Sequence, residues 1–293
     1  MARRHVQPRR AALVSPTRIL RAASREWWGG RSRARNPLRN LANTCAAAIT
    51  LVLWSAPASA APEEIQVYMD EMGKPGEVGL DVHNNYVVSG AIPLDYPDQR
   101  QSLHQYRVTP EFSLGLTDHF ELGAYLPLVA IDHREKFTVD GVKLRLKYIG
   151  SKRDARWFWG ANFEIGRVAH ALDQNPYNAE FKLIGGTHAG RWTLAANANA
   201  DFKISGPARS PAALEIATKA SYAITPTFSL GLENYNGVGE FQRLGKFGSS
   251  DQSTYLAADI RVAKWDLNLG VGRGYGANTD FWTVKAIVGV PLQ

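Results

Sequence analysis

From Arg107 to Ala130 the chain reads RVTPEFSLGLTDHFELGAYLPLVA, two runs of alternating apolar and polar residues joined by a turn. In the first run Val108, Pro110, Phe112, Leu114 and Leu116 share one face, while Thr109, Glu111, Ser113 and Gly115 share the other. After Thr-Asp-His, the residues Phe120, Leu122, Ala124, Leu126 and Leu128 alternate with Glu121, Gly123 and Tyr125. Successive side chains of a strand point to opposite sides, so this period of two predicts a β-hairpin with one apolar face.

The pattern recurs along the chain. It predicts strands at about 77–88, 105–116, 119–130, 142–149, 156–167, 179–186, 191–204, 213–224, 227–236, 254–263, 265–273 and 280–292. Between them lie a Pro/Asp-rich loop at 89–102, a charged loop at 131–140 ending in Asp140-Gly141, a loop with Asn175-Pro176, a Gly/Pro/Ser turn at 205–211 and a Gly-rich loop at 237–250. Residues 63–70 (EEIQVYMD spans 63–70) alternate weakly, and a strand, a plug and an arm all remain open for them. No long stretch keeps a helical period, so the expected fold class is all-β, without a domain linker.

An exported soluble sandwich or barrel also has many alternating strands. Three features favour a membrane barrel. Many runs are longer than the soluble mode of about 5 or 6 residues and match a tilted membrane-crossing strand of about 9–11. Full charges sit inside the strands on the polar face, and the apolar face carries Tyr106, Phe120, Tyr148, Trp157, Trp192, Phe202, Tyr222, Phe228, Trp265 and Trp282 mostly near strand ends, where a lipid interface holds aromatic rings. The even strand count permits antiparallel closure, which a membrane requires because an open sheet edge cannot face hydrocarbon. The expectation is a single antiparallel transmembrane β-barrel of about 12 strands over residues 77–293, preceded by an N-terminal segment at 61–76.

Charge is unevenly placed. The whole chain has 34 Lys+Arg and 27 Asp+Glu, but residues 1–60 hold eleven Arg and a single acidic residue, Glu26. The apolar run Ala46–Trp54 and then Ala58-Ser59-Ala60 follow, the order of a secretory signal peptide. The apolar run is too short for a transmembrane helix, which needs about 20 residues. With no recognition motif behind it, the Arg-rich stretch does not imply nucleic-acid binding. Cleavage after Ala60 would leave 23 Lys+Arg and 26 Asp+Glu and remove the only cysteine, Cys45, so neither a disulfide nor a thiolate metal site is expected.

The segments EIQVYMDEMGKPGEVGLDVHNNYVVSG (64–90), RVTPEFSLGLTDHFELGAYLP (107–127), VKLRLKYIG (142–150), WGANFEIG (159–166) and GVGRGYGANTDFWTVKAIVG (270–289) resemble an outer-membrane β-barrel family related to the phenol-degradation MetA-pathway proteins. The resemblance implies a bacterial outer-membrane location and a transporter-like barrel, with no assigned solute. The ending Val290-Pro291-Leu292-Gln293 departs from the C-terminal aromatic common in such barrels. The expected partners are outer-membrane lipids, the barrel assembly machinery and a small polar solute.

With the apolar faces in lipid, the lumen is expected to receive Glu111, Glu121, Lys143, Arg145, Lys147, Glu164, Lys182, Asp201, Lys219, Glu233, Arg261 and Lys285 as solute-lining candidates. Acids and bases nearly balance along the inward face, which argues against strong ion selectivity and suits a small polar or weakly acidic solute. Pairing of Lys143, Arg145 and Lys147 with Glu121 or Glu164 on adjacent strands is the alternative to solute contact. Inward glycines, among them Gly115, Gly123 and Gly270, would leave room for long charged neighbours.

Two other functions stay open: a structural or adhesion barrel with a closed lumen, and a barrel lipid hydrolase. The hydrolase needs a His with Ser two residues later as base and nucleophile, and none of His83, His104, His119, His133, His170 or His188 has one. Metal-site spacings such as HExxH are also missing. No catalytic, cofactor-binding or metal residue is assigned from the sequence.

Overall fold

A computed structural model describes residues 64–292, apart from 91–93, 95, 133–135, 207–211, 247–248 and 279. The expected leader, residues 1–60 with Cys45, lies outside the described residues. Twelve strands make the wall: β1 (Val78–Gly90), β2 (Tyr106–Gly115), β3 (Phe120–Ile131), β4 (Phe137–Ile149), β5 (Trp157–Val168), β6 (Tyr177–Ala189), β7 (Trp192–Ser205), β8 (Ala213–Thr225), β9 (Phe228–Glu240), β10 (Asp251–Val262), β11 (Trp265–Gly276) and β12 (Asp280–Val290). Arg243–Leu244 fold back on Gly239–Glu240 as a short extension of β9. Each strand pairs antiparallel with its sequence neighbours, and β1 pairs with β12, Leu80 opposite Val290 through Tyr86 opposite Val284. The sheet therefore closes, and no barrel strand is left with a free edge.

Burial runs opposite to that of a soluble protein. Leu144 is 55% exposed and Trp157 67%, while Arg145 is 4% and Glu233 1% exposed. Water does not favour a continuous outer band of Leu, Val, Phe and Trp; hydrocarbon does, and the alternation that places these side chains outward places the charges inward. Phe120 packs on Tyr148 with ring centroids 4.9 Å apart, and Trp192 on Tyr222 at 5.0 Å, both beside short turns at one end of the barrel. Exposed Tyr106, Phe137, Tyr177 and Trp282 sit near the strand ends at the other. Two aromatic rims thus bound the apolar band. The longest connections, 91–105, 169–176 and 241–250, all leave from this second end.

Two expected loops are wrong in their bounds, and the Gly-rich one at 237–250 is strand through Glu240 and again at Arg243–Leu244, because Gly237 and Gly239 keep their ladder partners on β8. The loop expected over 131–140 is partly strand, because β4 begins at Phe137 and Val139 pairs with Val129. Asp140-Gly141 is a turn signal by composition, but here it lies at a ladder irregularity: Leu128 opposes Gly141 and the register shifts on both sides. Gly141 has φ +153 and lies against the Arg167 carbonyl, 2.2 Å from where a Cβ would stand. A glycine absorbs a bulge at such a close approach without ending the strand.

Candidate functional site

Residues 64–72 run inside the barrel. Ile65, Val67 and Tyr68 are buried although they precede the first strand. The segment enters from the short-turn end, where the Gly76 amide donates to the Gly115 carbonyl at 2.7 Å. At Gly115 a Cβ would stand 2.1 Å from the Lys74 carbonyl oxygen, so only glycine lets the turn lie this close to the wall. Of the strand, plug and arm left open by the sequence, the fold selects the plug.

An extended segment carries backbone donors and acceptors that need partners away from water, and inward side chains of the wall supply many of them. The Tyr68 amide donates to Asn197 Oδ1 at 2.7 Å, and Asn197 Nδ2 donates to the Tyr68 carbonyl at 2.9 Å. Lys285 Nζ donates to the Ile65 carbonyl at 2.9 Å and Lys147 Nζ to the Glu71 carbonyl at 2.6 Å. Arg153 reaches from the β4–β5 turn to the Met72 and Gly73 carbonyls at 3.0 and 2.9 Å. The Gly73 amide donates to Glu121 Oε2 at 2.7 Å, and Asp70 pairs with His188 at 3.0 Å.

The Tyr68 ring lies among three cations: Lys182 Nζ at 4.0 Å, Lys147 Nζ at 5.3 Å and Arg145 Cζ at 5.9 Å from the ring centre. Desolvated cations over an aromatic face attract it by about 2 kcal/mol or more. Its hydroxyl meets the Tyr125 hydroxyl at 2.5 Å and donates to Glu164 Oε1 at 3.3 Å. Val67 and Tyr68 also pack on inward-facing Ile149, Phe158, Ile184, Ala195 and Ala217, with Met69 and Met72 beside them. This apolar seat went unread in the sequence. Its residues are scattered singly among polar inward positions on β4 to β8, and each looks like ordinary variation until the plug collects them.

The remaining inward charges form networks. Glu111 binds Arg145 at 2.5 Å and His83 Nε2 at 2.9 Å, and Arg145 also reaches Glu121 at 2.9 Å. Across from Arg145 stands Gly123, where a Cβ would be 2.5 Å from the guanidinium Nε, so the glycine gives the side chain its place along the wall. Glu233 holds Lys285 at 2.5 Å and Lys219 at 3.3 Å, and Lys219 reaches Asp259 at 2.8 Å. Lys182 pairs with Glu180 at 2.9 Å.

Of the twelve lumen candidates, Glu111, Glu121, Arg145, Lys147, Glu164, Lys182, Lys219, Glu233 and Lys285 are buried inside the barrel. Lys143 and Asp201 are only half-buried. Arg261 is misassigned: it is 64% exposed in its side chain and pairs at 2.8 Å with equally exposed Asp266 beside the Val262–Trp265 turn. The inward parity of β10 continues to this residue, but the strand has by then reached the barrel rim. Arg145 makes the cross-strand pair with Glu121 that was the alternative to solute contact.

No protein-family model matches the chain, and no curated protein matches it. Solved structures do. The COG4313 outer membrane channel from Pseudomonas putida F1 superposes with a TM-score of 0.51 at 14% identity, over 77% of this chain and 99% of that one. The chain has the fold of outer-membrane channels. The KdgM porin is similar at a TM-score of 0.50 and 13% identity, over 73% of this chain and 99% of the porin. At such identities the likeness is one of fold.

Proposed function

We propose that the protein is a bacterial outer-membrane channel for small solutes whose lumen is shut by residues 64–72 and opens when they leave. The two-point clasp of Tyr68 by Asn197 carries this reading: it is reversible, made of neutral hydrogen bonds, and lies where a solute would pass. Channel-type folds without a catalytic pair argue against a hydrolase. In this reading residues 1–60 are removed as a leader, the long connections face outward, lipids contact the apolar band, and the assembly machinery inserts the barrel. The resemblance to the MetA-pathway barrels agrees with a transport role.

The solute is a small polar or weakly acidic molecule. Lys147 and Lys285 give their ammonium groups to plug carbonyls, and a departing plug offers the same donors to the oxygens of a solute. Planar-bilayer recording of the chain lacking residues 64–72, which keeps the turn leading into β1, tests the proposal. A sustained conductance absent from the full chain supports it; a silent but folded deletion variant favours the structural barrel with a closed lumen.

One observation favours a second reading, in which an apolar solute leaves sideways through the wall. Leu126 and Pro127 pair with neither neighbouring strand, and the β2–β3 register shifts between Val108 and Glu111. Inside this break Tyr125, Leu128 and Val168 form a small apolar cluster with Leu172. A disulfide clamping β2 to β3 there would stop uptake of an apolar probe while leaving ion conductance of the deletion variant intact.

A further inference from the structure

Glu64, His83 and Glu111 come from the plug, β1 and β2, and one ligand atom of each lies within 4.8 Å of the others. Thr109 is the direct neighbour of His83 in the β1–β2 ladder, so Glu111 stands one inward position along on the same face. One Glu111 oxygen is taken by Arg145 at 2.5 Å, while the other faces His83 Nε2 at 2.9 Å. Glu64 Oε2 accepts from the Tyr125 hydroxyl at 3.0 Å. That leaves Glu64 Oε1 and His83 Nδ1 buried and without a hydrogen-bond partner among the described residues. An acceptor removed from water with nothing donating to it is costly, and more so when charged. Arg145, the cation that binds Glu111, is shared with Glu121.

An imidazole nitrogen with two carboxylates, one of them holding an unused oxygen, is a donor set for a borderline divalent cation, and Zn²⁺ accepts such ligands at about 2.0–2.2 Å. We propose that Glu64, His83 and Glu111 bind a divalent transition-metal cation of the Zn²⁺ type, which staples the plug to β1 and β2. Small side-chain rotations draw the three atoms together; Arg145 keeps the far oxygen of Glu111, and Tyr125 keeps the far oxygen of Glu64, so both carboxylates arrive already oriented. No hydrogen bond at Nδ1 opposes turning of the His83 ring. Glu64 as a residue is only partly covered. The metal would hold the channel shut. That consequence rests on the plug reading above, whereas the binding itself does not.

The full chain, purified in detergent without a His tag, is titrated with Zn²⁺ and, separately, with Co²⁺. The expected result is one saturable equivalent per chain and visible Co²⁺ bands of a four- or five-coordinate site. Glu64→Gln lies in the plug and leaves the wall intact; it weakens binding by about tenfold or more, equivalent to about 1.4 kcal/mol, as does deletion of residues 64–72. Exposed His119→Gln binds as the parent does. Absence of saturable binding, an octahedral Co²⁺ spectrum, wild-type affinity in Glu64→Gln, or loss of binding in His119→Gln overturns the site. The conductance of the deletion variant is read independently. If it stays silent while metal binding needs Glu64, the plug reading falls and the site stands; if it conducts and the full chain binds no Zn²⁺, the reverse holds.

Discussion

Asn197 holds Tyr68 by both of its backbone groups, accepting from the amide at 2.7 Å and donating to the carbonyl at 2.9 Å across 129 residues of sequence. One side chain thereby does for the plug what a neighbouring strand does in a ladder. Asn197→Ala removes both bonds at a net of about 0.5–1.5 kcal/mol each. The open fraction in single-channel records is expected to rise by about five- to a hundredfold, while heat-modifiable migration stays that of the folded barrel. Records matching the parent would mean that the plug does not gate.

Lys147 and Lys285 differ in what the plug's departure leaves them. Lys285 keeps Glu233 at 2.5 Å, whereas Lys147 loses the Glu71 carbonyl at 2.6 Å. In the chain lacking residues 64–72, a KCl gradient is expected to give a reversal potential favouring Cl⁻. Lys147→Met should shift that potential toward zero more than Lys285→Met does.

Glu233 sits between two buried cations, Lys285 and Lys219. Glu233→Gln leaves Lys285 without its counter-charge and Lys219 with Asp259 alone, and breaking a buried pair from one side costs about 3–5 kcal/mol. The expected outcome is a lower unfolding temperature on gels of heated samples. Adding Lys285→Met to Glu233→Gln should recover part of the loss, since it removes one stranded charge.

The outer face gives a test of the membrane reading. Leu144 lies mid-strand in β4 and faces outward, while outward Trp157 begins β5 at an aromatic rim. Leu144→Arg is expected to cost about 2–4 kcal/mol in urea titrations of the barrel folded in lipid vesicles, and Trp157→Arg about 0–1 from its arginine, because the penalty for a charge is largest at the midplane. Equal and small costs at both positions would contradict a hydrocarbon band there.

Much of the barrel was legible in the chain. Phe112 outward and Glu111 inward follow from neighbouring residues alone, because a strand's side-chain direction is set by its own backbone. Twelve such runs, an even count and aromatic ends suffice for closure in a membrane. Asp140-Gly141 misled because a local turn signal was taken up within a strand, which only the pairing of β3 with β4 decides. Arg261 misled because parity sets the face of a side chain and not its height along the barrel.

The plug and its contacts were not legible in this way. Residues 63–70 alternate too weakly to declare a strand, and their partners Asn197, Lys285 and Tyr125 lie far along the chain. His83 carries no metal-site spacing, yet Glu64 and Glu111 reach it through the plug's path and the β1–β2 register. The sequence by itself determined which side of each strand meets lipid, since that depends on alternation over a few residues. The tertiary structure decided what fills the lumen, since closing a barrel brings inward residues from distant strands around one axis, and the segment before β1 folds back among them.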